Sequence, residues 1–153
     1  MFHKLPALLE AGEGNDKWEI PFPGLETPLL LDTHFLGMTP LNDVEQEQHK
    51  FDCIAISGLA SHPFGSWQPK GRDKSFMWIR DQLPRIMPDT RVSIYGYDTT
   101  LVGSNSFQSI QDLATSLIEH IKNSGWSLPS AKLLIFLAHS LGGIVLEEAF
   151  IKQ

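Results

Sequence analysis

Three short apolar runs constrain the fold of this chain more than any other feature. They are Phe51 to Ile56, Arg91 to Tyr97 and Lys132 to Ala138. Runs of this length without a polar face are typical of strands covered on both faces of a sheet. Segments with helical spacing lie between them. Strands that alternate with helices predict the α/β class, with a parallel sheet and right-handed crossovers.

The segment from Ser109 to Ser124 is the strongest helix candidate. Ser109 followed by Asp112 predicts a capped N-terminus, and Gly125 predicts a left-handed C-terminal cap. Apolar residues at helical spacing predict one buried face: Ile110, Leu113, Ala114, Leu117, Ile118 and Ile121.

Two other helices are expected. One begins near Ser75 and is ended by Pro84 and Pro88, because proline cannot continue a helix. The other runs from Leu141 to Lys152, with four residues expected to face the sheet: Ile144, Val145, Ala149 and Phe150.

The first 36 residues differ in character from the rest, with four prolines and with glycines between charged and amide residues. This composition predicts a partly disordered leader over 1–36, followed by a folded domain over 37–153. Residues 28–31 and 36–39 are predicted as short strands, at sheet edges because a proline lies in or next to each.

Charge and cysteine content exclude several classes of protein. The formal net charge of −6 disfavours binding to nucleic acid. The only cysteine, Cys53, lies in an apolar run, which predicts a buried thiol and a reducing, cytoplasmic location. Neither a signal peptide nor a transmembrane segment is expected. No residues have metal-ligand spacing and no glycine pattern fits a nucleotide, so no metal or cofactor is predicted.

The residues that indicate chemistry lie directly after the third apolar run. Ala138-His139-Ser140-Leu141-Gly142-Gly143 matches the G-x-S-x-G nucleophile elbow, with alanine in place of the first glycine. A serine on a tight strand-to-helix turn exposes its hydroxyl above the sheet, and the backbone N–H of Leu141 is suited to stabilise an oxyanion. Ser140 is therefore the predicted nucleophile.

Several motifs in the same order resemble one family. They are Phe51 to Leu59, His62-Pro63, Ser66-Trp67, Trp78 to Pro84, Arg91 to Asp98 and His139 to Gly143. This set resembles the serine esterase domains related to the serine active site-containing protein and, more distantly, to GPI inositol-deacylases. Similar domains form the N-terminal heads of many fungal proteins that continue into NACHT or repeat modules.

The resemblance implies an α/β-hydrolase fold that cleaves carboxylic esters of lipid-like character with a Ser–Asp–His triad. It implies that Gly58 and Leu59 form the loop that supplies the second oxyanion N–H, and it allows association with mitochondria or the ER. Family members usually have histidine immediately before the glycine that matches Gly58, where this chain has Ser57.

The triad acid and base are not expected within this chain. In this fold they follow the nucleophile, and after Ser140 the sequence has Glu147, Glu148 and no histidine. The expected architecture is the N-terminal half of the fold, truncated after the elbow helix. Two hypotheses remain open. One is a fragment of an active esterase, inactive as an isolated chain, and the other is a catalytically dead interaction or head module.

Upstream residues are weaker candidates for catalysis. His62 could act as a base, although a role in loop structure is preferred, while His139 is expected to be structural and His120 to be solvated. Asp98 is interpreted as a turn or cap residue. For Trp67 and Trp78, core packing is preferred over lining an acyl pocket.

Overall fold

A computed structural model describes residues 17–20, 29–32, 35–58, 61–70, 75–97, 109–126 and 128–151. The chain divides into two compact units, Met1–His34 and Phe35–Gln153. In the first unit the described residues form β1 (Lys17–Ile20) and β2 (Leu29–Asp32), which pair antiparallel. Of the expected leader, the residues before 35 other than these two strands lie outside the described ranges.

The second unit alternates strands with helices. Its elements in chain order are β3 (Gly37–Pro40), β4 (Phe51–Ile56), a 3-10 turn (Gly65–Trp67), α1 (Trp78–Asp81), α2 (Leu83–Ile86), β5 (Thr90–Gly96), α3 (Ile110–Asn123), β6 (Leu133–Ala138) and α4 (Leu141–Ile151).

The strands of this unit form a mixed sheet. Within the described ranges its order is β3-β5-β4-β6, with β4 parallel to both of its neighbours. β3 pairs antiparallel with β5 and forms one edge of the described sheet. Pro40 lies in this edge strand, where the N–H that proline lacks is not needed to pair with another strand. The α/β class and the parallel pairing of the three apolar runs are therefore confirmed.

The central strand β4 is buried on both faces. Ile54 and Ile56 face one cluster, to which α3 contributes Leu117 and α4 contributes Val145. Cys53 and Ala55 face a second cluster on the other side of the sheet, formed with Trp67, Met77, Ile79, Val92 and Ile94. Cys53 is buried, which confirms its interpretation as a small buried side chain. Burial raises the pKa of its thiol to about 11.

Helix α3 follows its sequence pattern. Ser109 and Asp112 form a reciprocal capping box, and Gly125 takes a left-handed φ of +83° after the last turn. Leu113, Ala114 and Leu117 are buried, as predicted, whereas Ile110 at the first position is 38% exposed. The helix therefore covers the sheet with the face that the periodicity indicates.

Two expectations about the other helices were wrong. Pro84 does not end a helix begun at Ser75, because it lies in the first turn of α2, where proline lacks no helical hydrogen bond. In α4, Val145 and Ala149 are buried, and the ring of Phe150, although 60% exposed, contacts that of Phe136 on β6. Ile144 is 51% exposed, so the expectation that it faces the sheet was wrong.

A buried carboxylate links the amino end of β4 to neighbouring elements by hydrogen bonds. The side chain of Asp52 is 3% exposed. It accepts hydrogen bonds from Arg91 Nε at 2.8 Å, from Trp126 Nε1 at 2.6 Å and from His49 Nε2 at 3.0 Å. These contacts join β4 to β5 and to the segment that follows α3.

Substituting Asp52 should destabilise the fold strongly. We expect Asp52→Ala to lower the free energy of unfolding by about 2 kcal/mol, because it leaves the Trp126 indole N–H and the partly exposed Arg91 guanidinium without their shared acceptor. Lys50→Ala is the matched control, since it breaks an ion pair to Asp89 in which the lysine is 69% exposed, and should cost less than about 1 kcal/mol. Urea denaturation measures both, and equal losses would contradict the assignment.

The outer edge of β6 and helix α4 together expose apolar side chains. Leu133 is 71% and Ile151 is 72% exposed, and β6 is the last strand in the described sheet. An uncovered apolar edge favours association with other chains. We expect the chain to self-associate in sedimentation velocity at micromolar concentration, and Leu133→Lys to shift it toward monomer. Lys132→Leu should act in the opposite direction, and a monodisperse wild-type monomer would contradict the prediction.

Candidate active site

The sheet topology marks the carboxyl end of β4 for a binding crevice, because the chain leaves β4 toward one face of the sheet and leaves both neighbouring strands toward the other. After β4 the chain passes to α1 on the face of Cys53 and Ala55, whereas after β6 it passes to α4 on the opposite face. Neighbouring parallel strands whose connections leave toward opposite faces open a crevice at their carboxyl ends. Ser57 and Gly58 follow β4 at this edge, and Ser140 follows β6 there.

Ser140 has the backbone conformation that the elbow motif requires. Its φ is +54°, and the residue is exposed between the end of β6 and the first residue of α4. A non-glycine residue in the left-handed region is strained by about 1–2 kcal/mol. Two hydrogen bonds close the turn, from Gly142 N to His139 O at 3.0 Å and from Gly143 N to Ser140 O at 2.9 Å.

A close approach between α4 and β4 holds this turn in place. A Cβ atom on Gly142 would lie 2.5 Å from the carbonyl oxygen of Ser57 and 2.7 Å from that of Ile56. The N–H of His139 also donates to the Ile56 carbonyl, at 3.0 Å. The small residue that the G-x-S-x-G pattern has two positions after the serine is therefore required here by close contact with backbone, which cannot move aside as a side chain can.

Gly58 faces the predicted nucleophile directly. A Cβ on Gly58 would lie 2.9 Å from Ser140 Cβ and 3.2 Å from His139 Nδ1. The structure thus brings Gly58 and Ser140 into contact at the carboxyl ends of β4 and β6, as an oxyanion loop and a nucleophile would be placed. Leu59, the predicted donor from this loop, lies outside the described residues.

The N–H of Leu141 is available at the site. Leu141 is the first residue of α4, and its N–H donates to no other group in the described part of the chain. The first N–H groups of a helix have no partner within the helix and carry its positive dipole end. Leu141 can therefore donate to a negative oxygen that forms beside Ser140.

Histidine positions argue against a base among the residues described. Nδ1 of His62 accepts the N–H groups of Phe64 and Gly65, both at 3.2 Å, so a neutral ring carries its proton on Nε2. The preferred role of His62 in loop structure is therefore observed. The ring of His139 is exposed and rests beside Gly58. No described side chain donates to or accepts from the Ser140 hydroxyl.

His120 was expected to be solvated, and this expectation was wrong. Its ring packs against Tyr95 with the centroids 5.4 Å apart, and its Nδ1 lies 2.8 Å from the carbonyl oxygen of Ser116. Trp67 is a core residue at 8% exposure, as preferred, whereas the core role preferred for Trp78 was wrong, because Trp78 is 41% exposed and contacts the Trp67 ring from the surface. Asp98 lies outside the described residues.

Sequence reasoning missed one residue near the site. The hydroxyl of Tyr97 donates to the carbonyl oxygen of Ser57 at 2.7 Å, and both groups are buried. The hydroxyl of Ser57 itself is buried and has no hydrogen-bond partner among the described residues. Tyr97 lay within an apolar run, and a side-chain bond to a neighbouring strand end leaves no periodic signal that could have revealed it.

Neither metal binding nor a membrane span has structural support in the described part of the chain. Its residues contain no group of three or more His, Cys, Asp and Glu side chains that could hold a metal ion. No helix among them is long and apolar enough to cross a membrane. Comparisons with protein-family models, with curated proteins and with solved structures found no match to this chain.

The approach of Gly142 to β4 can be tested with two neighbouring glycines. Gly142→Ala forces a Cβ into two backbone carbonyls, and we expect a loss of about 2 kcal/mol in unfolding free energy. Gly143→Ala meets nothing within 4 Å and should stabilise α4 by about 0.5–1 kcal/mol. Thermal or urea unfolding gives both values. Similar effects of the two substitutions would mean that α4 does not pack this closely on β4.

Proposed function

We propose that this chain carries a serine hydrolase domain of the α/β-hydrolase type, with Ser140 as the nucleophile. The observation that carries the proposal is the left-handed φ of +54° at Ser140, in a turn between a parallel strand and a helix. Backbone strain at an exposed serine in a switch-point crevice is typical of a nucleophile elbow.

The proposed chemistry is acyl transfer from an ester. The Ser140 oxygen attacks the ester carbonyl carbon, its proton passes to solvent water, and the C=O π bond opens to an oxyanion. Collapse of the oxyanion breaks the ester C–O bond, the alcohol leaves with a proton from water, and a second water hydrolyses the acyl-serine to the carboxylic acid. The N–H of Leu141 stabilises the oxyanion on one side, and Leu59 is proposed to donate the second N–H. Gly58 lets that loop come within contact of Ser140, because any side chain there would collide with it.

Substrate class and location are the less constrained parts of the proposal. The motifs that resemble serine esterase domains favour a carboxylic ester of lipid-like character and allow additional modules in the same protein. The buried thiol of Cys53 favours a reducing compartment, and on that basis we propose a cytoplasmic location for the activity.

A catalytically dead, hydrolase-like interaction module is the second candidate. Two observations favour it. Among the described residues no histidine contacts the Ser140 hydroxyl, and without a base serine is a weak nucleophile. Ser57 stands where the resembling domains have histidine, and its buried hydroxyl has no partner. Under this candidate the elbow is inherited and the crevice does not react.

A covalent probe distinguishes the two candidates. We expect a fluorophosphonate to label the purified chain slowly and only at Ser140, because the N–H of Leu141 can stabilise the charge that develops on the phosphonyl oxygen although no described base activates the hydroxyl. Intact-mass and peptide mass spectrometry identify the modified residue. Hydrolysis of a short p-nitrophenyl ester should be slow and should be lost together with labelling in Ser140→Ala.

Two controls make the result decisive. Ser130→Ala removes an exposed serine that precedes β6 at the opposite edge of the sheet, and it should label like the wild type. Protection of the Cys53 thiol from alkylation verifies that each variant is folded. A folded wild-type chain that resists the probe, or that is labelled equally in Ser140→Ala, would overturn the hydrolase and favour the interaction module.

A further inference from the structure

The parallel ladder leaves one strand-end carbonyl without a strand partner. The register of β4 with its two neighbours ends at Ile56, opposite Tyr95 on one side and Ala138 on the other. Ser57 is the next residue, and it is 1% exposed. Its carbonyl cannot be hydrated by bulk water, so it needs a donor from within the protein.

Tyr97 supplies that donor from the neighbouring strand. Its hydroxyl donates to the Ser57 oxygen at 2.7 Å, and its ring stacks on that of Tyr95 with the centroids 5.9 Å apart. Burial, with a smaller contribution from Tyr95, raises the pKa of Tyr97 to about 12. The hydroxyl therefore stays protonated and can donate at every pH at which a cytoplasmic enzyme works.

The same carbonyl lies at the centre of the site. A Cβ on Gly142 would come within 2.5 Å of it, so it is held between Tyr97 and the first turn of α4. The next residue is Gly58, which faces Ser140. Fixing the Ser57 peptide group thus fixes where the chain turns relative to the nucleophile.

We propose that the Tyr97 hydroxyl is a positioning group that holds the Gly58 turn against Ser140. Tyr97 touches neither Ser140 nor a substrate and acts only through the Ser57 carbonyl. It sets the distance between Gly58 and the turn that bears Ser140 and the Leu141 N–H. Its catalytic consequence rests on the proposed hydrolase function, whereas its structural consequence does not.

Tyr97→Phe removes this hydrogen bond and leaves the ring. Tyr95→Phe is the matched control, since Tyr95 is the only other tyrosine, stacks on the same ring, and its hydroxyl lies 3.4 Å from Ser116 Oγ on α3, away from the loop. Hydrogen exchange followed by mass spectrometry reports on the peptides that span 57–61 and 139–143. We expect exchange there to rise roughly fivefold in Tyr97→Phe, as expected for one neutral hydrogen bond, and to be unchanged in Tyr95→Phe.

Probe kinetics supply the functional readout. We expect the maximal rate of fluorophosphonate labelling to fall about tenfold or more in Tyr97→Phe, because a misplacement near 1 Å reduces rates by up to about 10². The probe concentration at half-maximal rate should be unchanged. A variant that was merely unstable would instead lower the fraction of chains labelled. If Tyr97→Phe is too unstable, both tyrosine variants are compared in a Gly143→Ala background.

The outcomes separate the two proposals. Exchange and labelling that match those of Tyr95→Phe would overturn the positioning role and leave the hydrolase standing. An increase in exchange throughout the sheet, with loss of Cys53 protection, would also overturn it, because the bond would then support the fold in general. A wild-type chain that is never labelled, with the exchange increase confined to the two loops in Tyr97→Phe, would overturn the hydrolase and support the positioning role.

Discussion

The contact between the start of α4 and the end of β4 determines the geometry of the whole candidate site. Gly142 lies against the carbonyl groups of Ile56 and Ser57, so the helix begins closer to the central strand than any side chain would allow. That approach forces a sharp turn between β6 and α4. This turn places Ser140 at a positive φ and its side chain at the carboxyl edge of the sheet. Residues 57–58 and Ser140 lie close together because both are adjacent to this contact.

Much of the second unit could be predicted from the sequence because its elements carry local signals. The apolar runs gave the three parallel strands, and the spacing in 109–124 gave α3 with both caps. The helix after Ser75 was predicted wrongly since proline can either end a helix or begin one, and only tertiary packing decides. For α4, three of the four apolar residues expected to face the sheet are buried or contact it, and Ile144 is exposed.

The residues of the candidate site were predictable only where they belong to a recognisable sequence motif. Ser140, Gly58 and Leu141 could be placed because a strand-to-helix turn and a preceding loop have sequence signatures. The bond from Tyr97 to Ser57 joins the ends of two strands 40 residues apart, and nothing in either local pattern depends on it. The burial of His120 likewise follows from its contact with Tyr95, which depends on how α3 crosses the sheet. Contacts of this kind depend on tertiary packing, which no local pattern carries.

Folding alone gives no reason for serine at position 140. Glycine or asparagine would occupy a φ of +54° with less strain, and glycine takes the positive φ values at Gly37 and Gly125. Phe35 also has a positive φ, +50°, but its ring packs against those of His62 and Phe64. The Ser140 hydroxyl could offset the strain by a hydrogen bond, but no described residue accepts or donates one. Its side chain is exposed, so it also contributes no buried contact. A residue that raises the energy of the fold without a compensating contact is most simply explained by what its hydroxyl does. The strain lies in the backbone of Ser140 itself, whichever residue would serve as its base.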